Sequence, residues 1–441
     1  MTWPSLELPW PSDAGVQGPR RWWNGPLDVE ALAVGSVQAA VSAAKALANQ
    51  RGSSWRGSVD SSLVGASFDS IGLLRRDDQP VSGWAEFSGF FETADGWVRL
   101  HGNYPHHAAV IRSYTAAGDK TGVQAALRSR TAADVERDVR AAGGIAGAVR
   151  SMHTWREHPQ YRQAIEGRGL ITLDSPTGST QPLAPTTQGP MRGVRVLDLT
   201  RVIAGPTATR LLAALGADVL RLDPPATPEL LDQHLDTDFG KRTALADLMR
   251  TDIDELLDAA DVVITGYRPG ALAKFGLSAP ELLARRPWLI GVDLSAWGDT
   301  GPWAHQRGFD SIVQAVTGIG MTYGEHEQPG ALPVQALDHA TGYLMAAAVM
   351  QLLAARGTDG GRAAHLSLAR TGAWLQDHPA QPGELTNVVD ERFLAERDSA
   401  YGRLRYVRPA VVVDGGLIDY PAPPDEYGTA ALSWTARPEH P

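Results

Sequence analysis

The 441-residue chain contains no cysteine. That excludes disulfides, thiolate nucleophiles and cysteine-based metal sites, and it fits a reducing, cytoplasmic setting, which is the expected location. Long hydrophobic runs are also lacking. The longest apolar stretch, residues 341–355, falls short of the roughly 18 residues that span a bilayer, so no membrane partner is expected. The opening Met1-Thr2-Trp3-Pro4 places no basic residue ahead of an apolar run and does not read as a secretory signal. Positive charge is in deficit: 40 Lys and Arg stand against 50 Asp and Glu, and the net charge of -10 argues against a nucleic-acid partner. The usual phosphate and hydrolase motifs are missing too. No Gly-x-Gly-x-x-Gly follows the first strand of the second half, and there is neither a Walker A run nor a Gly-x-Ser-x-Gly elbow. The 12 histidines show no zinc spacing, and His106-His107 has no acidic partner at helical spacing, so no metal is expected.

What is present divides the chain. Residues 1–26, rich in Pro, Gly and Trp, read as an irregular arm, and 29–51 as an Ala-rich helix. Residues 59–71 read as a strand or short helix facing a core. Residues 87–101 read as a hairpin around Asp95-Gly96. Thr131-Ala132-Ala133-Asp134 resembles a helix-opening cap. Residues 172–190, dense in Pro, Thr, Gly and Ser, form the clearest linker. The predicted parts are therefore the arm, a smaller unit over 27–171, the linker, a large domain over 191–380 and an extension over 381–441.

Beyond the linker, short apolar runs at 194–199, 219–222, 261–264 and 289–294 alternate with helical spacings. One helix is read over 206–215, with Pro at its start and Gly216 at its end. Such alternation predicts an α/β fold with a doubly wound parallel sheet. The ligand crevice of that sheet lies at the carboxyl ends of its strands. Gly240-Lys241-Arg242-Thr243 and Tyr267-Arg268-Pro269-Gly270 put cations beside turns there, as surface charge or as phosphate captors. A weak internal repeat exists at an offset of 307: Gly35 falls on Gly342, Gly65 on Gly372, and Ala31 on Asp338.

Asp338 opens the apolar stretch. As a helix N-cap it would contribute about 1 kcal/mol. As a nucleophile it would attack an activated acyl carbon, and a helix N-terminus would favour its anionic form. Pattern alone leaves both readings open.

The ordered runs from Val194 to Pro206, Leu215-Gly216-Ala217-Asp218, Gly240-Lys241-Arg242-Thr243, Tyr267-Arg268-Pro269-Gly270, Ser295-Ala296-Trp297-Gly298 and Gly308-Phe309-Asp310 resemble the class III (CaiB-BaiF) coenzyme A transferase family. The resemblance implies a Rossmann-like large domain with a smaller α+β domain. It makes Asp338 the nucleophile of an acyl-CoA:carboxylate CoA-transferase working through aspartyl anhydride and aspartyl-CoA intermediates. Acyl-CoA and a carboxylic acid are then substrates, and no cofactor is bound permanently. The CoA contacts carry over to Ile203, Ala204, Gly266, Tyr267, Arg268, Lys274, Ser295, Ala296, Trp297 and Gly298. Gly266 departs from the family's frequent asparagine.

The order of parts also departs from the family, because residues resembling its small domain come first, as in two fused partial copies with one active site. A homodimer is the family's habit. Two alternatives accompany this reading. A 2-methylacyl-CoA racemase would need a histidine where Phe309 stands, unless a group such as His339 substitutes. A non-catalytic CoA-binding protein would not need Asp338.

Overall fold

The computed structural model describes residues 16–437, apart from 20, 82, 381–384 and 387. Most of the expected arm lies outside the described residues. Helix α1, Val29–Gln50, begins where the Asp28 side chain accepts the Ala31 N–H at 2.9 Å. By length and composition α1 could cross a membrane, a property the sequence reading missed. Here it is mostly buried as a core helix. Strand β1, Gly57–Asp60, leads into α2, Ser61–Phe68, capped by Asp60.

The smaller unit follows. Strands β2, Gly89–Thr93, and β3, Gly96–Leu100, pair with Thr93 opposite Gly96, so Ala94 and Asp95 make the turn. Gly96 takes φ +153, a value side chains resist. Helix α3, Pro105–Thr115, starts with proline, whose missing N–H costs nothing there. Helix α4, Ala132–Ala141, is capped by Thr131, which accepts the Asp134 N–H at 3.1 Å. Strand β4, Ala146–Ala148, completes a three-stranded antiparallel sheet over a core of Phe91, Val98, Ile111, Val123 and Val135.

Strand β5, Ile171–Leu173, corrects the linker reading at its start. It adds antiparallel to the large sheet. The rest of 172–190 is irregular but pinned: the Arg51 guanidinium donates to the carbonyls of Ala184, Pro190 and Arg192 at 2.8–2.9 Å. No free tether separates the two parts.

The large sheet contains β6, Arg195–Leu199; β7, Asp218–Asp223; β8, Arg242–Leu245; β9, Val262–Thr265; and β10, Ile290–Ser295. Its last parallel strand, β11, is Arg362–Ser367. The order is β8-β7-β6-β9-β10-β11-β5, all parallel but β5. Alternate residues serve opposite cores: Val196, Val219, Ile264 and Val292 face one, Leu197, Leu220, Leu222 and Val263 the other. Each such side chain contributes roughly 1.5–3 kcal/mol when fully buried. Burial on both faces is why these strands read as continuous apolar runs rather than alternating ones.

Four helices complete the site's frame: α5, Ala204–Ala214; α6, Asp310–Thr317; α7, Ala336–Asp359; and α8, Leu368–Gln376. Helix α5 starts two residues before Pro206 and stops ahead of Gly216 at φ +107. It crosses α7 at Gly342, where a Cβ would sit 2.4 Å from the Ala204 carbonyl oxygen. The 307-residue offset lays α1, β1 and α2 onto α7, β11 and α8, and even the caps Asp60 and Ser367 coincide. Helices α1 and α7 pack against each other in one core. The extension also returns to the body, where Tyr427 OH donates to Asp223 at 2.9 Å and Trp434 Nε1 to the Leu256 carbonyl at 2.9 Å.

Candidate active site

The strand order reverses between β6 and β9, so the chain leaves those two strands in opposite directions and opens a crevice at their carboxyl ends. A cavity of about 370 Å³ occupies it. Its walls come from the loops after β6, β7, β9 and β10, from the start of α8, and from Asp338 on α7.

The loop after β6 is built by buried charge. Asp198 accepts the Thr200 N–H at 2.9 Å, the Thr200 and Thr209 hydroxyls, and Lys241 Nζ at 3.4 Å. Val202 has φ +71, a left-handed conformation that costs a β-branched residue roughly 1–2 kcal/mol. Its N–H is held by Glu229 at 2.9 Å, and Glu229 in turn pairs with Arg221 at 2.9 Å. The phosphate-captor reading of Lys241 is overturned here. Lys241 is buried between Asp198 and Asp238, 3.4 and 3.2 Å away, and its charge is taken up by them.

Asp338 is not the N-cap of α7; that position is Gln335, and Asp338 is the third helical residue. The helix end is satisfied from another element, because Asp310 at the start of α6 accepts the Asp338 N–H at 3.0 Å. Asp310 is itself held by Gln314, which accepts the Leu332 N–H at 2.8 Å. Two buried carboxylates thus share one site. Burial first, and the charge of Asp310 second, push Asp338 well above the usual carboxylate range. Burial raises Asp310 to about 6 against the hydrogen bonds it accepts. The expectation that the helix end favours the ionised form of Asp338 meets an opposing pull: desolvation and a like charge outweigh the helix dipole and raise its pKa.

Of the residues expected to meet CoA, Ala204, Gly266, Tyr267, Arg268, Ser295 and Ala296 line the Asp338 cavity. Ile203 is buried beside it. The others lie elsewhere. Trp297 is buried against Trp155 and Trp303 and donates Nε1 to the Arg307 carbonyl at 3.2 Å. Gly298 faces an adjoining hollow of about 320 Å³ that shares Tyr267, Arg268 and Ser295 with the first. Lys274 borders a separate hollow, its Nζ 4.8 Å from the centroid of the Phe275 ring.

The sequence reading missed Arg201, Arg307 and three residues of the smaller unit, Tyr104, His106 and His107, all on the cavity wall. The available signal was His106-His107 following a helix-starting Pro105; only folding carries it to Asp338. Arg307 donates to the Gly143 carbonyl at 3.2 Å, and neither it nor Arg268 has an ion-pair partner among the described residues. Phe309 lines the cavity and stacks on His101 at 4.1 Å. His339 lies off the cavity against Phe68, its ring centroid 5.3 Å away, and burial lowers it to about 3.

Residues 191–405 match the family model described as CoA-transferase family III. Acetyl-coenzyme A transferase nodX of Hypoxylon pulicicidum is 36% identical over 192 residues, which cover 41% of this chain and 32% of that protein. Probable fatty acyl-CoA transferase Rv3272 of Mycobacterium tuberculosis is 35% identical over 190 residues, covering 39% and 48%. Succinate--glutarate CoA-transferase of Agrobacterium fabrum is 33% identical over 192 residues, covering 38% and 48%. The chain thus spans a third to a half of the length of these relatives. A crystal structure of Rv3272 is 32% identical and covers 43% of this chain and 58% of that one, with a TM-score of 0.40, too low to bear on the fold. Residues 191–405, just under half of the chain, with their strands and loops placed around Asp338, are thus similar to CoA-transferase family III.

Proposed function

We propose that the protein is an acyl-CoA:carboxylate CoA-transferase with Asp338 as nucleophile. The observation that carries this is a buried carboxylate at the wall of a crevice, lined by the loops of the family-matched sheet. Asp338 attacks the thioester carbonyl, giving a mixed anhydride and CoA thiolate. The thiolate attacks the aspartyl carbonyl, giving aspartyl-CoA and releasing the donor acid. The acceptor carboxylate attacks that thioester, and the thiolate then takes the acceptor's acyl carbon and frees Asp338. Each step exchanges one activated acyl bond for another, so no ATP or metal is needed.

The environment sets the conditions. Asp338 attacks in its ionised form, and a carboxylate poorly solvated by burial is then reactive. Arg307 supplies positive charge that offsets the thiolate, and Arg268, which also borders the adjoining hollow, offsets the phosphates of CoA. The matching elements at the 307-residue offset support two fused partial copies, with Ala31 leaving the first without a nucleophile. Racemisation would need an acid and a base across the α-carbon. Phe309 cannot exchange a proton and His339 lies off the cavity, which weighs against it.

Hydroxylamine trapping after incubation with acyl-CoA, read by mass spectrometry, tests the proposal. Modification at Asp338 is expected. Asp338→Ala should abolish transfer while CoA binding persists, and unchanged turnover in that variant would refute the mechanism.

A further inference from the structure

The wall opposite the catalytic sheet has no role in that chemistry so far. It is the start of α3. The helix begins after Tyr104 without a side-chain cap, and Pro105 brings no N–H. Tyr104, His106 and His107 face the same cavity as Asp338. His107 is only 4% exposed; its Nδ1 is enclosed, and neither ring nitrogen has a hydrogen-bond partner among the described residues. Its ring stands 4.0 Å from His106 and edge-on to Phe309 at 5.9 Å. Buried polar side chains are nearly always partnered, so an unpartnered histidine on a cavity wall marks a place where a ligand donates or accepts.

Resting on the transferase reading, we propose that the N-terminus of α3, with His106 and His107, is the subsite that receives the carboxylate of the acid co-substrate. The local field suits an anion. The positive end of the helix points there, and Arg201 and Arg307 are close enough to act on His107. Burial first, then His106 and these guanidiniums, lower His107 to about 3, so the ring is neutral and has one N–H to give. A phosphate of CoA shares this chemistry. The pantetheine arm, however, separates the phosphates from the sulfur, and the cavity that holds Asp338 has to hold the reacting thioester and the acid. The donor acid on its way out and the acceptor acid on its way in occupy the same place in turn.

The test is transfer kinetics with the acid varied, alongside CoA titration calorimetry, on wild type, His107→Phe and His107→Asn. His107→Phe keeps the ring's bulk and removes its donor. It should raise both the KM for the acceptor acid and the inhibition constant of the donor acid about tenfold or more, the cost of one hydrogen bond to a charged group. The CoA affinity of His107→Phe should stay the same. His107→Asn, which keeps an N–H donor, should recover most of the loss. An unchanged acid KM in His107→Phe would overturn the subsite. So would a loss of CoA affinity in its place, which would assign the helix start to a phosphate. Absence of a trapped Asp338 adduct in wild type would instead overturn the transferase reading, and the subsite with it.

Discussion

Raising the pH should loosen the edge of the large sheet. His365 on β11 lies between two carboxylates, with Nε2 3.1 Å from Asp174 and Nδ1 3.4 Å from Asp293. Asp293 belongs to β10, and Asp174 directly follows the antiparallel strand β5. Burial by itself would lower the His365 pKa; the hydrogen bond and charge of Asp293, joined by Asp174, outweigh it and raise the value from 6.5 to about 9. A histidine whose folded pKa is raised gives stability that is complete below its unfolded pKa and is lost as pH climbs through the folded one. The window is therefore 6.5 to about 9. A shift of that size corresponds to up to roughly 3 kcal/mol, and screening of the half-exposed Asp174 trims it. Urea unfolding of wild type and His365→Asn at about pH 6 and about pH 10 isolates the contribution, since other titrating groups cancel in the difference. The wild type should exceed the variant at the lower pH and lose that excess at the higher. An equal difference at both would refute the charged bridge.

Three further outcomes follow from the site. Asp310→Asn keeps an oxygen for the Asp338 N–H but removes the charge that opposes ionisation of Asp338, so the rising limb of the pH–rate profile should move to lower pH; a stationary limb would show that the two groups are uncoupled. Gly342→Ala would gain up to about 1 kcal/mol from helix propensity alone, yet the contact with the Ala204 carbonyl should make it destabilising by about 1–3 kcal/mol; a raised Tm would contradict the close crossing of α5 and α7. Arg268→Ala should weaken CoA binding in titration calorimetry and lessen its salt dependence, because Arg268 has no ion-pair partner among the described residues; unaltered binding at low salt would remove it from the CoA path.

The parallel sheet was legible because its strands are apolar on both faces and its helices are punctuated by residues with narrow conformational roles, such as Gly216. The Asp95-Gly96 hairpin and the Thr131 cap were legible for the same reason, since turn and cap chemistry acts within a few residues. The linker reading failed at β5 because strand pairing is decided by a partner nearly 200 residues away. Lys241 misled because a cation beside a turn looks alike in sequence whether it meets water or two buried aspartates in a core.

The sequence by itself determined that a carboxylate would stand at the start of a long apolar helix, and that the strands before it would form a sheet with a crevice at their carboxyl ends. Periodicity, turn residues and the family's ordered motifs are local properties, written within short stretches of chain. Only the tertiary structure decided the state of that carboxylate and its company. Asp310 lies 28 residues away and His107 more than 200, and neither spacing has a period to read. Burial and like charge act through space, so the pKa of Asp338 is raised by what folding packs around it, whatever its place on the helix.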